Sequence, residues 1–236
     1  MLRLDKLLCE MKAGTRSQIK KELKQGLVTV NGETVTKPDY KVEEGKDQIT
    51  YKGKPVRYRK HVYYMLNKPA GVVSATKDDT CRTVTELLKD TGYTDLFPVG
   101  RLDKDTEGLL LMTNDGELAH QLLSPKKHVE KVYEVGLREE LSEPDIRKLE
   151  NGVDIGEGEL TLPARVEIAE GTRIFLTITE GKFHQVKRML RAVGNEVISL
   201  RRIAMGGLKL DSGLASGAYR ELSEEEIAGI KGGHNG

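Results

Sequence analysis

Gly100–Met112, reading GRLDKDTEGLLLM, places Arg101, Asp103, Lys104, Asp105 and Glu107 within seven residues, directly after Phe97-Pro98-Val99. Gly108 then opens an apolar run that reads as a fully buried strand. The charged end of the stretch therefore sits on a rigid support. A carboxylate and a guanidinium beside a core strand are well placed for chemistry, because surrounding side chains can fix their rotamers at a pocket edge. A solvated loop rich in side-chain-to-backbone hydrogen bonds would use the same residues. Taken alone, the stretch favours the solvated loop.

Working outward, 236 residues with 37% hydrophobic content suffice for one medium domain and a small one. No apolar run reaches the length of about 18 residues that marks a membrane helix. The N-terminal MLRLDKLLCEMK carries charges inside its apolar stretch, unlike a signal peptide, so a cytoplasmic protein without a membrane partner is expected. Cys9 and Cys81 form no CxxC pair and no disulfide framework, which fits a reducing compartment. The net charge of +1 conceals an asymmetry: residues 1–60 hold 15 Lys+Arg against 8 Asp+Glu, and the remainder holds 23 against 29. Such a division predicts a basic module for a polyanion, joined to a body with a different task.

In the basic part, Leu4, Leu7, Leu8 and Met11 recur at i, i+3, i+4, i+7 and predict an amphipathic helix over residues 2–12. A second helix is expected from Thr15, which has capping-box spacing to Gln18, to a C′ residue at Gly26. Its polar side carries Arg16, Lys20, Lys21 and Lys24, with Arg3 and Lys6 on the first helix. Residues 27–30 and 33–35 read as a hairpin turning at Asn31-Gly32. Two helices and a hairpin, with the segments RLDKLL and TRSQIKKELKQGLVTVNGETV, resemble the α-L RNA-binding module of a small-subunit ribosomal protein and of many RNA-modifying enzymes. A basic helix face of this kind contacts phosphates and supplies affinity and register rather than base choice. Pro55 and the run Arg57–Lys60 suggest a linker, which places domain boundaries at 1–58, 59–231 and a frayed tail at 232–236.

The body alternates strands and helices without a repeat: HVYYMLN at 61–67, the buried run after Gly108, KVYEV at 131–135, strands at 166–168, 174–179 and 197–203, and helices between them. Connections of hairpin length favour an α+β fold with a mixed, largely antiparallel sheet over a doubly wound parallel one. Many chemistries are absent from the sequence. It has no P-loop, no HExxH and no clustered Cys/His set, and Gly156-Glu157-Gly158 lacks the third glycine of a dinucleotide fingerprint. His184 sits on a basic helix beginning near Lys182, where a surface or hydrogen-bonding role is expected.

GRLDKDTEGLLL, EKVY and EGKFHQVKRMLRAVGNEVISLRR, in that order, resemble the RsuA-type branch of the pseudouridine synthases, and MLNKPAGVVSA and Met205-Gly206-Gly207-Leu208 fall where that family has comparable segments. The resemblance spans nearly the whole chain. It implies isomerisation of uridine in ribosomal RNA, without cofactor or metal, by a monomer acting on a small-subunit assembly intermediate. It assigns the essential carboxylate to Asp103, the strand tyrosine to Tyr133 and the basic partner to Lys187, the last residue of HQVK. Arg101 becomes the residue that fills the space of a flipped-out uridine or holds its phosphate, and Leu200 the apolar contact to the base. Arg188 and Arg191 are left to face phosphate. Asp103 can attack the ribose or remove a ribose proton; the sequence is compatible with both. An enzyme of the same branch acting on large-subunit rRNA, and a noncatalytic ribosome-assembly protein, are the competing expectations. The short ending SEEEIAGIKGGHNG, without an extended basic tail, disfavours the first, and retention of Asp, Tyr and Lys disfavours the second.

Overall fold

The computed structural model describes residues 1–11, 13–56 and 58–232. It divides into two compact units, one formed by Met1–Val62 with Lys89–Thr94, the other by Tyr63–Leu88 with the chain from Asp95 onward. Lys12 at the end of the expected first helix, Arg57 of the expected linker and residues 233–236 of the expected tail lie outside the described residues.

The first unit comprises β1 (Leu2–Arg3), α1 (Leu4–Glu10), α2 (Arg16–Lys24), β2 (Val28–Val30), β3 (Glu33–Thr34), β4 (Lys41–Val42), β5 (Ile49–Tyr51) and β6 (Lys54–Val56). The first helix starts later than its apolar spacing predicts, because Leu2 and Arg3 pair with Val42 and Lys41. As expected, Thr15 caps α2, its Oγ1 accepting from Gln18 N at 3.3 Å, and Asn31 and Gly32 turn the hairpin with φ of 51° and 85°. The sheet is larger than one hairpin. Its order is β3-β2-β5-β6, and the added strands turn at Lys52-Gly53, both with positive φ. Pro55, read as linker, lies in β6 at the sheet edge, where its missing N–H leaves no ladder bond unmade. Leu4, Leu7, Leu8, Ile19, Leu23 and Val28 form the centre of this unit's core.

The chain continues with β7 (Tyr63–Lys68), a 3₁₀ helix (Val84–Thr91) whose last residues, Lys89–Thr91, belong to the first unit, and then, in the second unit, β8 (Phe97–Pro98), β9 (Glu107–Thr113), α3 (Gly116–Leu123), β10 (Lys131–Leu137) and α4 (Glu143–Asn151). It ends with β11 (Arg165–Glu170), β12 (Arg173–Ile178), α5 (Gln185–Ala192), β13 (Val197–Met205), β14 (Leu208–Lys209), β15 (Tyr219–Glu221) and α6 (Glu224–Gly232). Gly232, expected in the frayed tail, belongs to α6. Among the described residues these strands form a nine-stranded mixed sheet whose main path is β11-β12-β10-β13-β9-β7-β15, the α+β arrangement expected.

Every pairing in that sheet is antiparallel except β13 with β9, which meet over Arg201↔Glu107 and Arg202↔Gly108. The sheet is thus two antiparallel blocks joined along a short parallel seam. Gly108 makes the seam possible: its φ is +100°, and a Cβ there would lie 2.2 Å from the Arg202 carbonyl oxygen. Met65, Leu109 and Leu111 from the β7–β9 block pack with Leu118 and Leu122 of α3 and with Ile230 of α6. No helix among the described residues is long and apolar enough to cross a membrane.

Candidate active site

The opening stretch divides as its residue types predict: Glu107–Thr113 is the buried strand β9, and residues 100–106 form the loop ahead of it. That loop is tied down from beneath. Ser74 Oγ donates to Leu102 O at 2.8 Å and accepts from Leu102 N at 3.0 Å, so both backbone groups beside Asp103 are fixed by one hydroxyl. Lys68, wholly buried at the end of β7, donates to the carbonyls of Pro69, Lys104 and Thr106 at 3.0, 3.3 and 2.8 Å. Burial pulls its pKa down to about 8, against the opposing pull of Asp105, Asp103 and Glu107. Thr106 N closes the turn onto Asp103 O at 3.1 Å.

Across the loop stands α5. Its N-cap, His184, is left-handed (φ 50°), and the preceding turn is held by Gln185, which accepts from Lys182 N at 2.9 Å and donates to Glu180 Oε1 at 2.7 Å. These contacts start the helix at Gln185 rather than near Lys182. Lys187, one turn in, brings its Nζ to 2.9 Å from Asp103 Oδ2 and 2.6 Å from Asp105 Oδ1. Burial lowers the Lys187 pKa, yet the hydrogen bonds that it donates to Asp105 and Asp103 outweigh it and leave the ammonium more stable than in water. The same hydrogen bond from Lys187 holds Asp105 below the usual carboxylate range. His184 Nε2 lies 3.5 Å from the other oxygen of Asp103, and the His184 ring stacks on Phe183 at 3.8 Å between centroids.

The floor comes from β10 and β13. Side chains alternate along a strand, and Lys131, Tyr133, Val135 and Leu137 are the buried set of β10. Tyr133 sits opposite Arg202 and Val135 opposite Leu200, so Tyr133, Leu200 and Arg202 share one sheet face. With the 100–106 loop and α5, this face encloses a cavity of about 210 Å³ that contains Asp103, Tyr133, Lys187 and Leu200 among its lining. Its size suits a single nucleobase better than a drug-sized ligand, whose pockets run to roughly 300–1,000 Å³.

The structure therefore brings Asp103, Tyr133, Lys187 and Leu200 together, and exposed Arg101 stands at the rim of the same cavity. Arg191 is exposed on α5. Arg188, expected to face phosphate, is turned inward: its guanidinium donates to Ile155 O at 2.9 Å and Phe183 O at 3.1 Å and pairs with Glu159 at 2.8 Å. In the first unit, Lys20, Lys21 and Lys24 project from α2 into solvent, and exposed Lys6 lies 3.6 Å from Glu10. Arg3 is in β1 rather than on a helix. Its fork is closed on the buried Asp5 at 3.0 and 2.9 Å, with Arg16 a further 3.7 Å from that carboxylate. Ser74, Lys68, Lys131, Asp105 and Arg202 are the site residues that the sequence reading did not assign.

A model of the RNA pseudouridylate synthase family matches residues 62–192, and an S4 domain model matches residues 2–49. The chain belongs to the RNA pseudouridylate synthase family and is an RNA pseudouridine synthase with an S4 domain ahead of its catalytic domain. It is 51% identical over 231 residues to the uncharacterised RNA pseudouridine synthase YtzG of Bacillus subtilis (strain 168), covering 96% of this chain and 97% of that one. It is 41% identical over 231 residues to ribosomal small subunit pseudouridine synthase A of Escherichia coli (strain K12), covering 97% and 100%. A crystal structure of a pseudouridylate synthase superimposes with a TM-score of 0.69 at 38% identity, over 98% of this chain and 100% of that one.

Proposed function

We propose that the protein converts a uridine of small-subunit ribosomal RNA to pseudouridine, with Asp103 reacting at the ribose, Lys187 pairing with it and holding it in place, and Tyr133 meeting the base. The observation that carries this reading is the 2.9 Å Lys187–Asp103 contact inside a nucleobase-sized cavity floored by Tyr133 and Leu200. An ammonium at that distance pairs with the carboxylate and fixes its position at the cavity. Asp103 either attacks C1′ or takes a ribose proton, the C1′–N1 bond breaks, the uracil turns, and C5 joins C1′. Tyr133 is 8% exposed, with its ring on the cavity floor, a position suited to the face of the base and to the proton lost from C5. A stacked uridine cannot reach this depth, so it is flipped out, and Arg101 at the rim occupies the space it leaves or holds its phosphate. Full-length similarity to ribosomal small subunit pseudouridine synthase A supports the choice of RNA.

The test is a pseudouridine map of rRNA from a strain lacking the gene, complemented with wild type or with Asp103→Asn. One small-subunit position is expected to lose pseudouridine and to regain it only with wild type. A change confined to large-subunit rRNA would reassign the substrate. Restoration by Asp103→Asn would remove Asp103 from the chemistry.

A further inference from the structure

Two cations lie in the cavity floor without a carboxylate partner. Arg202 is 2% exposed; its Nε donates to Leu109 O at 2.8 Å, and its Nη2 has no hydrogen-bond partner among the described residues. Lys131, 9% exposed on the neighbouring strand, gives its Nζ to Val129 O at 3.0 Å. Neither makes an ion pair among the described residues. The acid nearest in influence, Glu180, is engaged by Leu162 N at 2.8 Å and Gln185 Nε2 at 2.7 Å. Burial first, and the charge of Arg202 after it, bring the Lys131 pKa down to about 8, against the smaller opposing pull of Glu180. Lys187, by contrast, is matched by two carboxylates. The surplus positive charge of the site is thus in its floor.

A buried charge without a partner is unfavourable in the free protein, and it is the arrangement that helps a reaction in which negative charge develops at that spot. The reading of the protein as a uridine isomerase, on which this inference rests, supplies such a charge. When the C1′–N1 bond breaks, both electrons leave with N1 and spread onto O2 and O4, so the base is a uracil anion until C5 bonds to C1′ and gives up its proton. Attack by Asp103 at C1′ and proton removal from the ribose both pass through that anion. We propose that Lys131 and Arg202 form a cationic floor whose field, little screened by water, stabilises the detached uracil anion. Tyr133 lies on β10 two residues from Lys131 and directly opposite Arg202, so the three side chains share one sheet face and line the same cavity.

Leaving-group dependence separates this role from a structural one. Single-turnover cleavage of the C1′–N1 bond is measured on transcribed small-subunit rRNA containing either uridine or 5-fluorouridine, alongside RNA affinity and thermal unfolding. Fluorine withdraws electrons and makes the departing anion less dependent on outside help. Lys131→Met is expected to slow cleavage at uridine by about 10²–10³-fold, the loss typical of one preorganised electrostatic group, with RNA affinity within twofold. On 5-fluorouridine the defect should shrink at least tenfold, and Lys131→Arg should recover most of the rate. Lys131→Gln, which keeps a donor for Val129 O, and Arg202→Lys, which keeps the charge, cover the case in which Lys131→Met does not fold. Lys131→Gln should behave as the Met variant, and Arg202→Lys should stay closer to wild type. Equal defects on the two RNAs, or a neutral variant as fast as wild type, would overturn the inference. If wild type converts only large-subunit rRNA, the substrate assignment falls and the same comparison is made on that RNA.

Discussion

Lys187 stands between two carboxylates, and the two differ in how much they depend on it. Asp105 is 73% exposed and stays hydrated without a partner, whereas Asp103, 26% exposed at the cavity, has Lys187 as its only Lys or Arg partner among the described residues, with His184 at 3.5 Å. Lys187→Met is therefore expected to lower the single-turnover rate by about 10²-fold or more while leaving RNA binding nearly intact. Arg188→Met is expected to act differently. Its guanidinium holds Phe183, Ile155 and Glu159, so its loss loosens the turn before α5 and lowers thermal stability more than it lowers the rate at saturating RNA. A larger rate loss for Arg188→Met than for Lys187→Met would reverse the two assignments. Asp103 and Lys187 are 84 positions apart and were connected through the order of family motifs, since no local pattern links them. Lys131 and Arg202 were legible in principle: in KVYEVGL the period-2 alternation puts Lys131 on the face of Tyr133, and in LRR it puts Arg202 on the face of Leu200. Ser74 and Lys68 were not, because their partners are backbone atoms brought close by tertiary folding alone.

At the scale of elements, the strand that follows Asp103 depends on one glycine. Gly108 has a φ that L-residues rarely adopt, and the space for a Cβ is occupied by the backbone of Arg202, which cannot swing aside as a side chain would. Gly108→Ala is expected to destabilise the protein by more than about 2 kcal/mol, combining left-handed strain of roughly 1–3 kcal/mol with a backbone displacement. Urea denaturation measures it, and a midpoint within error of wild type would contradict the close approach of β9 and β13. Elements with local signals were readable: the Thr15 cap and the Asn31-Gly32 turn both stand where the spacing puts them. The strands β5 and β6 were missed because Pro55 was weighed as a breaker, although an edge position tolerates it and Lys52-Gly53 is itself a turn signal. The exchange of Lys89–Thr94 into the first unit carries no sequence signature, because it joins segments about thirty residues apart in the chain.

For the molecule as a whole, the charge asymmetry predicts a division between affinity and chemistry. Arg16, Lys20 and Lys24 are exposed on the S4 unit, and neutralising all three is expected to weaken RNA binding and to flatten its salt dependence by up to about one unit of log–log slope per lost phosphate contact. Because Asp103, Tyr133 and Lys187 are untouched, the single-turnover rate should return to near wild type at saturating RNA. Titrations of rRNA at several salt concentrations test both points. An unchanged slope would mean that these side chains face only water, and a rate that stays low at saturation would mean that the S4 unit shapes the pocket. The parallel seam between the two antiparallel blocks has a different kind of consequence. Asp103 and Lys68 belong to the β7–β9 side, and Tyr133, Lys187 and Arg202 to the β10–β13 side, so the proposed catalytic set draws on both halves. On the proposed assignment, a nascent or partly unfolded chain with only one block closed lacks part of that set. Turnover then doubles as a proof of assembly.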